Sequence, residues 1–145
     1  MARLELMGTI AGIWTSPARK SGRMDPRERV RALADHGLEG CAHARPSGKR
    51  QVLFASNEHL EAVGVEPGRI RENFTVSGDD VQAWPVGQRV RAGNAVFEIT
   101  MVCDPCERMD AIRPGLRREL EGRRGMLARV IEQGDVALGD SVELV

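Results

Sequence analysis

Short strand-like runs separated by glycine-containing turns constrain the fold of this chain more than any other feature. The clearest run is Ala95–Val102, and Gln88–Ala92 precedes it across Gly93-Asn94, a dipeptide that favours the positive φ angles of a hairpin turn. Further strands are predicted over the ranges 3–15, 50–55, 70–76, 126–132 and 141–145. Six or seven short strands with one convincing helix predict a mainly β chain, folded as an antiparallel β-barrel or sandwich.

Local signals refine this prediction at a few positions. The opening strand is predicted to be broken or bulged at Gly8 and Gly12. Ser56 is predicted to cap a short helix over Asn57–Val63. The range 26–36 fits a short helix and a strand equally, because its apolar residues match both periods.

The second half of the chain contains two further predicted irregularities. The charged range 107–122 is predicted to be irregular apart from a short helix beginning at Pro114, and Gly134-Asp135 is predicted to be a turn. The sequence shows no βαβ repeat and no glycine-rich phosphate loop, so it gives no support for a nucleotide-binding fold.

Composition sets limits on size, partners and location. With 145 residues, the chain is predicted to form one domain over 1–145. The 21 basic and 21 acidic residues balance, and aromatic residues make up only 3%, so nucleic acid is not an expected partner. No apolar run approaches the roughly 18 residues that span a bilayer and no signal peptide is recognisable, so we expect no membrane association and a cytoplasmic location.

The strongest candidate for chemistry is the end of the strand Ala95–Val102, which leads into Cys103-Asp104-Pro105-Cys106. Two cysteines at this spacing can ligate a soft metal, cycle between thiol and disulfide, or present one activated thiolate. They can equally be two small buried residues. A thioredoxin-like role is disfavoured, because little helix signal follows the second cysteine.

Two other groups of residues are candidates for a site. A Cys3His zinc site forms if the loop that carries Cys41 and His43 folds back on Cys103 and Cys106. Arginine supplies all but two of the 21 basic residues, and its fork of donors suits phosphate and carboxylate. Arg50, Arg71 and Arg124 can clamp an anion if the strands bring them together, and Arg71 is predicted to share one strand face with Asn73.

Taken in order, several short blocks resemble the MOSC domain, the family named after the C-terminal domain of molybdenum-cofactor sulfurases. The resemblance runs from about residue 6 to the C-terminus. It rests on Gly37–Gly40 with His43, Arg50–Val52, Glu72–Val76 with Gly78, Val86–Val90, Cys103–Cys106 and Gly139–Val142. It implies a barrel of the pyruvate-kinase β-barrel type and a function that involves the pterin-bound molybdenum cofactor or its sulfur.

The resemblance also implies roles for individual residues. The family's signature cysteine, which is proposed to ligate molybdenum or to carry a persulfide, corresponds to Cys106, the implied catalytic and metal-binding residue. The implied cofactor-binding residues are Thr15, Ser16, His43, Arg50, Ser56, Arg71 and Asn73. One position departs from the family: Cys41 stands where the glycine loop usually has Asp, which would carry a charge able to orient a neighbouring His or Arg.

Two classes of function remain open from the sequence. One is a protein that acts through Cys106, either as a reductase of N-hydroxylated compounds or as a sulfur transferase to a metal centre. The other is a non-catalytic module that binds zinc or delivers cofactor to an enzyme. The expected partners are the pterin cofactor or a sulfur donor or acceptor protein, with an electron-donor protein for a reductase, and exposed edge strands are compatible with a homodimer.

Overall fold

Seven strands close into a barrel in this computed structural model, which describes residues 8–18 and 22–145. The strands are β1 (Gly8–Thr15), β2 (Asp25–Pro26), β3 (Arg29–Leu33), β4 (Gly37–Leu38), β5 (Val52–Ser56), β6 (Phe74–Ser77), β7 (Arg89–Ala92), β8 (Ala95–Val102), β9 (Met126–Glu132), β10 (Gly134–Ala137) and β11 (Ser141–Leu144). The helices are α1 (Asn57–Ala62), α2 (Glu107–Ile112) and α3 (Leu116–Glu119), with a 3₁₀ turn at Val81–Ala83. Around the barrel the order is β1, β11, β7, β8, β9, β5, β6 and back to β1.

The predicted β-barrel is confirmed, with one difference in strand direction. β5 and β6 pair in parallel, whereas the other strand pairs of the barrel are antiparallel. The connection between them carries α1, as a parallel pair requires a crossover. The chain therefore contains one βαβ unit that the sequence did not reveal. Outside the barrel, β2 extends β1, and β10, β3 and β4 form a separate sheet.

The barrel interior is filled by an aromatic cluster. The rings of Phe54, Phe74 and Phe97 are completely buried and lie 5.1 to 5.6 Å apart between centroids, and Trp84 packs edge-on against Phe54 at 5.5 Å. Such tilted and edge-to-face pairs stabilise a core by about 0.5–1.5 kcal/mol each beyond the area they bury. The packed aromatic rings therefore occupy the centre of the barrel interior.

A second apolar layer covers one outer wall of the barrel. Along β5 the side chains alternate, so that Phe54 joins the interior cluster while Ala55 joins a cluster formed with the helices. The other members of this outer cluster are Leu60, Val63, Val65, Ile70, Met109, Leu116 and Leu120, with Cys106 and Ile112 packed against it. The segment that follows the Cys-x-x-Cys motif is thereby held against the barrel wall.

Several local predictions are confirmed by the structure. The β7–β8 hairpin turns at Gly93-Asn94, and β9 has its predicted range. β1 carries a register irregularity between Ile10 and Gly12 where a bulge was predicted, while the predicted strand residues 3–7 lie outside the described part of the chain. Ser56 does precede a helix, although its hydroxyl does not cap it.

The range 26–36, where the sequence is compatible with both a helix and a strand, contains β3. Other local predictions are wrong. The predicted turn at Gly134-Asp135 is the start of β10. The predicted strand 70–76 begins only at Phe74. The charged stretch after Cys106 opens with α2, which buries Met109, its single fully buried side chain.

Among the described residues, no helix is long and apolar enough to span a lipid bilayer.

Candidate functional site: a basic cavity with two cysteines

A cavity of about 250 Å³ lies between the outer barrel wall and α2. Its apolar lining comes from Leu53 of β5, Leu127 of β9 and Met109 of α2. The polar lining consists of four arginines, both cysteines of the Cys-x-x-Cys motif, and one His, Asn and Asp: Arg50, Arg71, Arg108, Arg124, Cys103, Cys106, His43, Asn73 and Asp104. Residues from four separate parts of the sequence therefore meet at this point.

The two cysteines have different surroundings, although both line the cavity as free, half-buried thiols. Cys103 follows β8, and its backbone N–H donates to the Gly125 carbonyl at 3.0 Å. Burial raises the pKa of Cys103 above its usual value, against the opposing effect of Arg124 and Arg50. Cys106 immediately precedes α2, and its carbonyl accepts the Met109 N–H at 2.9 Å. The structure therefore favours Cys103 as a protonated thiol.

Arg124 is the most unusual residue of the cavity. Its side chain is 6% exposed, yet neither Nε nor Nη1 has a hydrogen-bond partner among the described residues. The next residue, Gly125, has φ 115°, and a Cβ there would overlap the carbonyl oxygen of Phe54. Close backbone packing thus holds a buried guanidinium at the cavity wall, with two nitrogens that lack a hydrogen-bond partner among the described residues. This arrangement costs free energy unless an anion satisfies those nitrogens.

Arg71 connects the cavity to the loop that carries His43. It adopts φ 67°, a left-handed conformation that strains a non-glycine residue. Its Nη2 donates to His43 Nε2 at 2.8 Å and to Ser16 Oγ at 3.2 Å. Because a guanidinium only donates, His43 Nε2 must accept and the imidazole is neutral. Burial, followed by the nearby cations of Arg71, Arg108 and Arg124, lowers the pKa of His43 to about 4.

Asn73 and Cys41 form a supporting layer behind Arg71. Asn73 Oδ1 accepts the Leu53 N–H at 3.0 Å, and its Nδ2 donates to the Trp14 carbonyl at 3.1 Å and to Cys41 Sγ at 3.5 Å. The Ser16 N–H also donates to Cys41 Sγ, at 3.3 Å. Cys41 therefore supplies a sulfur acceptor for two N–H groups.

The electrostatic character of the cavity follows from its lining. Among the described residues, its lining contains four guanidinium groups and one carboxylate, that of Asp104. The ion pairs of Arg31 with Asp135 at 3.1 Å and of Arg129 with Glu98 at 3.0 Å lie outside the cavity. An anion with several oxygens is the ligand that such a group of forked donors binds best.

Five of the eight predicted site residues line the cavity, and three do not. The five are His43, Arg50, Arg71, Asn73 and Cys106. Ser16 lies one layer behind and reaches the cavity only through Arg71. Thr15 accepts a hydrogen bond from Arg27 Nε at 3.0 Å, and Ser56 hydroxyl donates to the Asp79 carbonyl in a separate surface depression.

Sequence reasoning missed Arg108 completely. Arg124 was recognised only as one member of a possible anion clamp with Arg50 and Arg71, a hypothesis that the shared cavity supports. The sequence signal that could have indicated Arg108 is its position two residues after Cys106. Its side chain could not be placed, because the sequence does not predict the helix α2 that carries it.

The hypothetical zinc site is not formed. The described residues, which include Cys41, His43, Cys103 and Cys106, contain no group of three or more His, Cys, Asp or Glu side chains placed to hold a metal ion. Cys41 Sγ instead accepts hydrogen bonds from Ser16 and Asn73, and His43 Nε2 accepts one from Arg71. The prediction of a Cys3His site is therefore wrong.

Comparison with known families settles the relationship of the chain. A family model of the MOSC domain matches residues 42–143. The chain belongs to the MOSC domain family. The resemblance predicted from the motif blocks is thus confirmed, and the match covers every cavity-lining residue named above. MOSC domains are associated with the molybdenum cofactor, and the family match does not define an activity.

Solved structures support the fold. The YuaD protein from Bacillus subtilis is similar over 95% of both chains, with a TM-score of 0.77 and 22% identity. YiiM from Geobacillus stearothermophilus is similar over 95% of this chain and 75% of its own, with a TM-score of 0.75 and 20% identity. YiiM from Escherichia coli matches 94% of this chain and 69% of its own, with a TM-score of 0.72 and 18% identity. A search of curated proteins found no significant match.

Proposed function

We propose that this protein binds a molybdenum cofactor in the basic cavity and acts through Cys106, as metal ligand or as sulfur carrier. The observation that carries the proposal is Arg124, a buried guanidinium with two unpartnered nitrogens, in a cavity that also contains the motif cysteines. A protein retains such a costly group where a ligand compensates it. Membership of the MOSC family supports the identity of that ligand.

The donor set fits the two ends of a pterin-bound molybdenum centre. Arg124, Arg71 and Arg50 present guanidinium donors suited to the phosphate of the cofactor. Cys106 presents a sulfur at the same cavity, and thiolate sulfur suits a soft, sulfur-bound metal. When bound, the cofactor would supply two-electron redox chemistry at its metal. Neutral His43 would add a hydrogen-bonding group without adding positive charge.

Two versions of the proposal differ in the role of Cys106. In the first, Cys106 is a metal ligand of a reductase acting on N-hydroxylated compounds, which receives electrons from a donor protein. In the second, the Cys106 thiolate attacks the terminal sulfur of a donor persulfide, so that a new S–S bond forms on Cys106 and the donor leaves as a thiolate. A module that only passes cofactor to a partner enzyme would need the same arginines but not Cys106.

The test is the molybdenum and pterin content per chain after expression in molybdate-fed cells that make the cofactor. We expect near-stoichiometric molybdenum and pterin in the wild type, loss of both in Arg124→Gln, and retention in the matched control Arg123→Gln, whose side chain does not line the cavity. Equal content in the two arginine variants would contradict the phosphate role.

The cysteine variants separate the two versions. Cys106→Ser should lose molybdenum if Cys106 is a ligand, and should keep it but lose a persulfide mass shift if Cys106 is a carrier. Cys103→Ser should affect neither measurement, because burial favours the protonated thiol at that position. Folding of each variant is checked by circular dichroism. A Cys103→Ser variant that behaves like Cys106→Ser would show that both sulfurs act together.

A further inference from the structure

A second cavity adjoins the first on the side of α2. Its volume is about 440 Å³, and it shares Arg71, Arg108 and Met109 with the basic cavity. Its other lining residues include Arg69, from the loop before β6, and Ile112, from the end of α2. The two cavities are therefore neighbouring compartments with a common wall, and we call this one the outer cavity.

The charged lining of the outer cavity is positive. Arg69, Arg71 and Arg108 line it, and no carboxylate of the described residues does. Within the described part of the chain, neither Arg69 nor Arg108 forms an ion pair, whereas other arginines of this chain do so, such as Arg113 with Glu119 at 2.8 Å. Burial is the main cause that lowers the pKa of Arg71, and the nearby cation of Arg108 lowers it further.

Apart from Arg108, the residues that α2 contributes to the outer cavity are apolar. α2 contributes Met109, Ala111 and Ile112, of which Met109 and Ile112 are separated by one helical turn and so lie on the same face. A pocket with an apolar wall and a few convergent polar groups is the usual form of a small-molecule site. The helix that provides this wall begins directly after Cys106.

We propose that the outer cavity binds the acidic group of an organic substrate, a carboxylate or phosphate monoester attached to an apolar body. The oxyanion lies against Arg69 and Arg108, and the apolar body lies along Met109 and Ile112. Arg108 and Met109 belong to the wall shared with the inner cavity, so the substrate lies beside the cavity that Cys106 lines. This assignment rests on the proposed function, in which the inner basic cavity is reserved for the cofactor, and it adds the chemical class of the substrate.

Binding of benzoate and of benzamide, its neutral counterpart of similar shape, tests the assignment directly. The full-length protein is titrated with each compound while the ¹³C-methyl NMR signals of Met109 and Ile112 are followed. We expect benzoate to shift both signals saturably and benzamide to bind about tenfold more weakly, because it cannot form charge-assisted hydrogen bonds. Arg69→Gln should weaken benzoate about five- to tenfold, whereas Arg118→Gln, an exposed arginine of α3 outside the cavity, should not.

Two further measurements keep this inference separate from the cofactor proposal. Arg124→Gln should leave benzoate affinity within about twofold, because Arg124 lines only the inner of the two cavities. Molybdenum content in Arg69→Gln should equal that of the wild type. Equal affinity for benzamide and benzoate, loss of benzoate binding in Arg124→Gln, or loss of molybdenum in Arg69→Gln would each overturn the inference. Wild-type protein without molybdenum would contradict the cofactor proposal, while the benzoate titration would still report on the outer cavity.

Discussion

Replacing Arg124 with Met should make the ligand-free protein more stable. Two nitrogens of Arg124 are buried without hydrogen-bond partners in the described structure. An unsatisfied buried polar group costs about 1–3 kcal/mol, and a charged group costs more, so removing this one should raise the free energy of unfolding by about 1–3 kcal/mol after the cost of repacking. For a chain of this size, that corresponds to a rise in Tm of roughly 2–4 °C per kcal/mol.

Thermal unfolding with and without phosphate measures both sides of this prediction. The protein is prepared in cells that cannot make the cofactor, and chloride is used at matched ionic strength. Phosphate at about 100 times its Kd should stabilise the wild type by about 2.7 kcal/mol, and this gain should vanish in Arg124→Met. The control variant Arg123→Met should behave as the wild type. A destabilised Arg124→Met, or one with the full phosphate effect, would refute the account of Arg124 as an anion-binding residue.

Three further predictions concern groups around the site. Because the pKa of His43 is lowered to about 4, the folded state binds fewer protons than the unfolded state between pH 4 and 6.5. The free energy of unfolding, measured with urea, should therefore fall as the pH drops from 6.5 toward 4. The variant His43→Gln should show a smaller change over this pH range. Burial raises the pKa of Glu72, whose Oε1 has no partner among the described residues. Glu72→Gln should therefore be more stable than the wild type at pH 7, and the difference in unfolding free energy should shrink as the pH falls toward 4.5. An equal difference at pH 7 and pH 4.5 would contradict the raised pKa. Gly125→Ala should destabilise the fold by about 3 kcal/mol or more through overlap with Phe54, whereas Gly122→Ala, which meets no atom within 4 Å, should cost about 1 kcal/mol for its positive φ alone.

The barrel was predictable because its strands carry their own local signals. The hairpin at Gly93-Asn94 joins two runs whose alternation matches a half-buried sheet, and β9 is a compact apolar run. The parallel pairing of β5 with β6 was not predictable. It depends on a crossover through α1, whose two turns are too short to suggest a βαβ unit.

The candidate site was predictable only in part, because local sequence signals do not determine how distant segments pack together. Cys106 and His43 belong to blocks that resemble the family, so the resemblance identified them. Arg71 was expected on a strand but reaches the cavity from a left-handed turn, a conformation that no pattern of neighbouring residues indicates. Arg108 and Arg124 converge with it because α2 and Gly125 pack against the barrel, and such tertiary placement is not encoded in spacing.

Anomalous X-ray diffraction at the molybdenum edge, on crystals of protein from cofactor-producing cells, tests the central claim most directly. We expect one molybdenum peak beside Cys106 in the inner basic cavity, with the phosphate of the cofactor against Arg124. A molybdenum peak at another position, or a phosphate that leaves Arg124 without a partner, would contradict it.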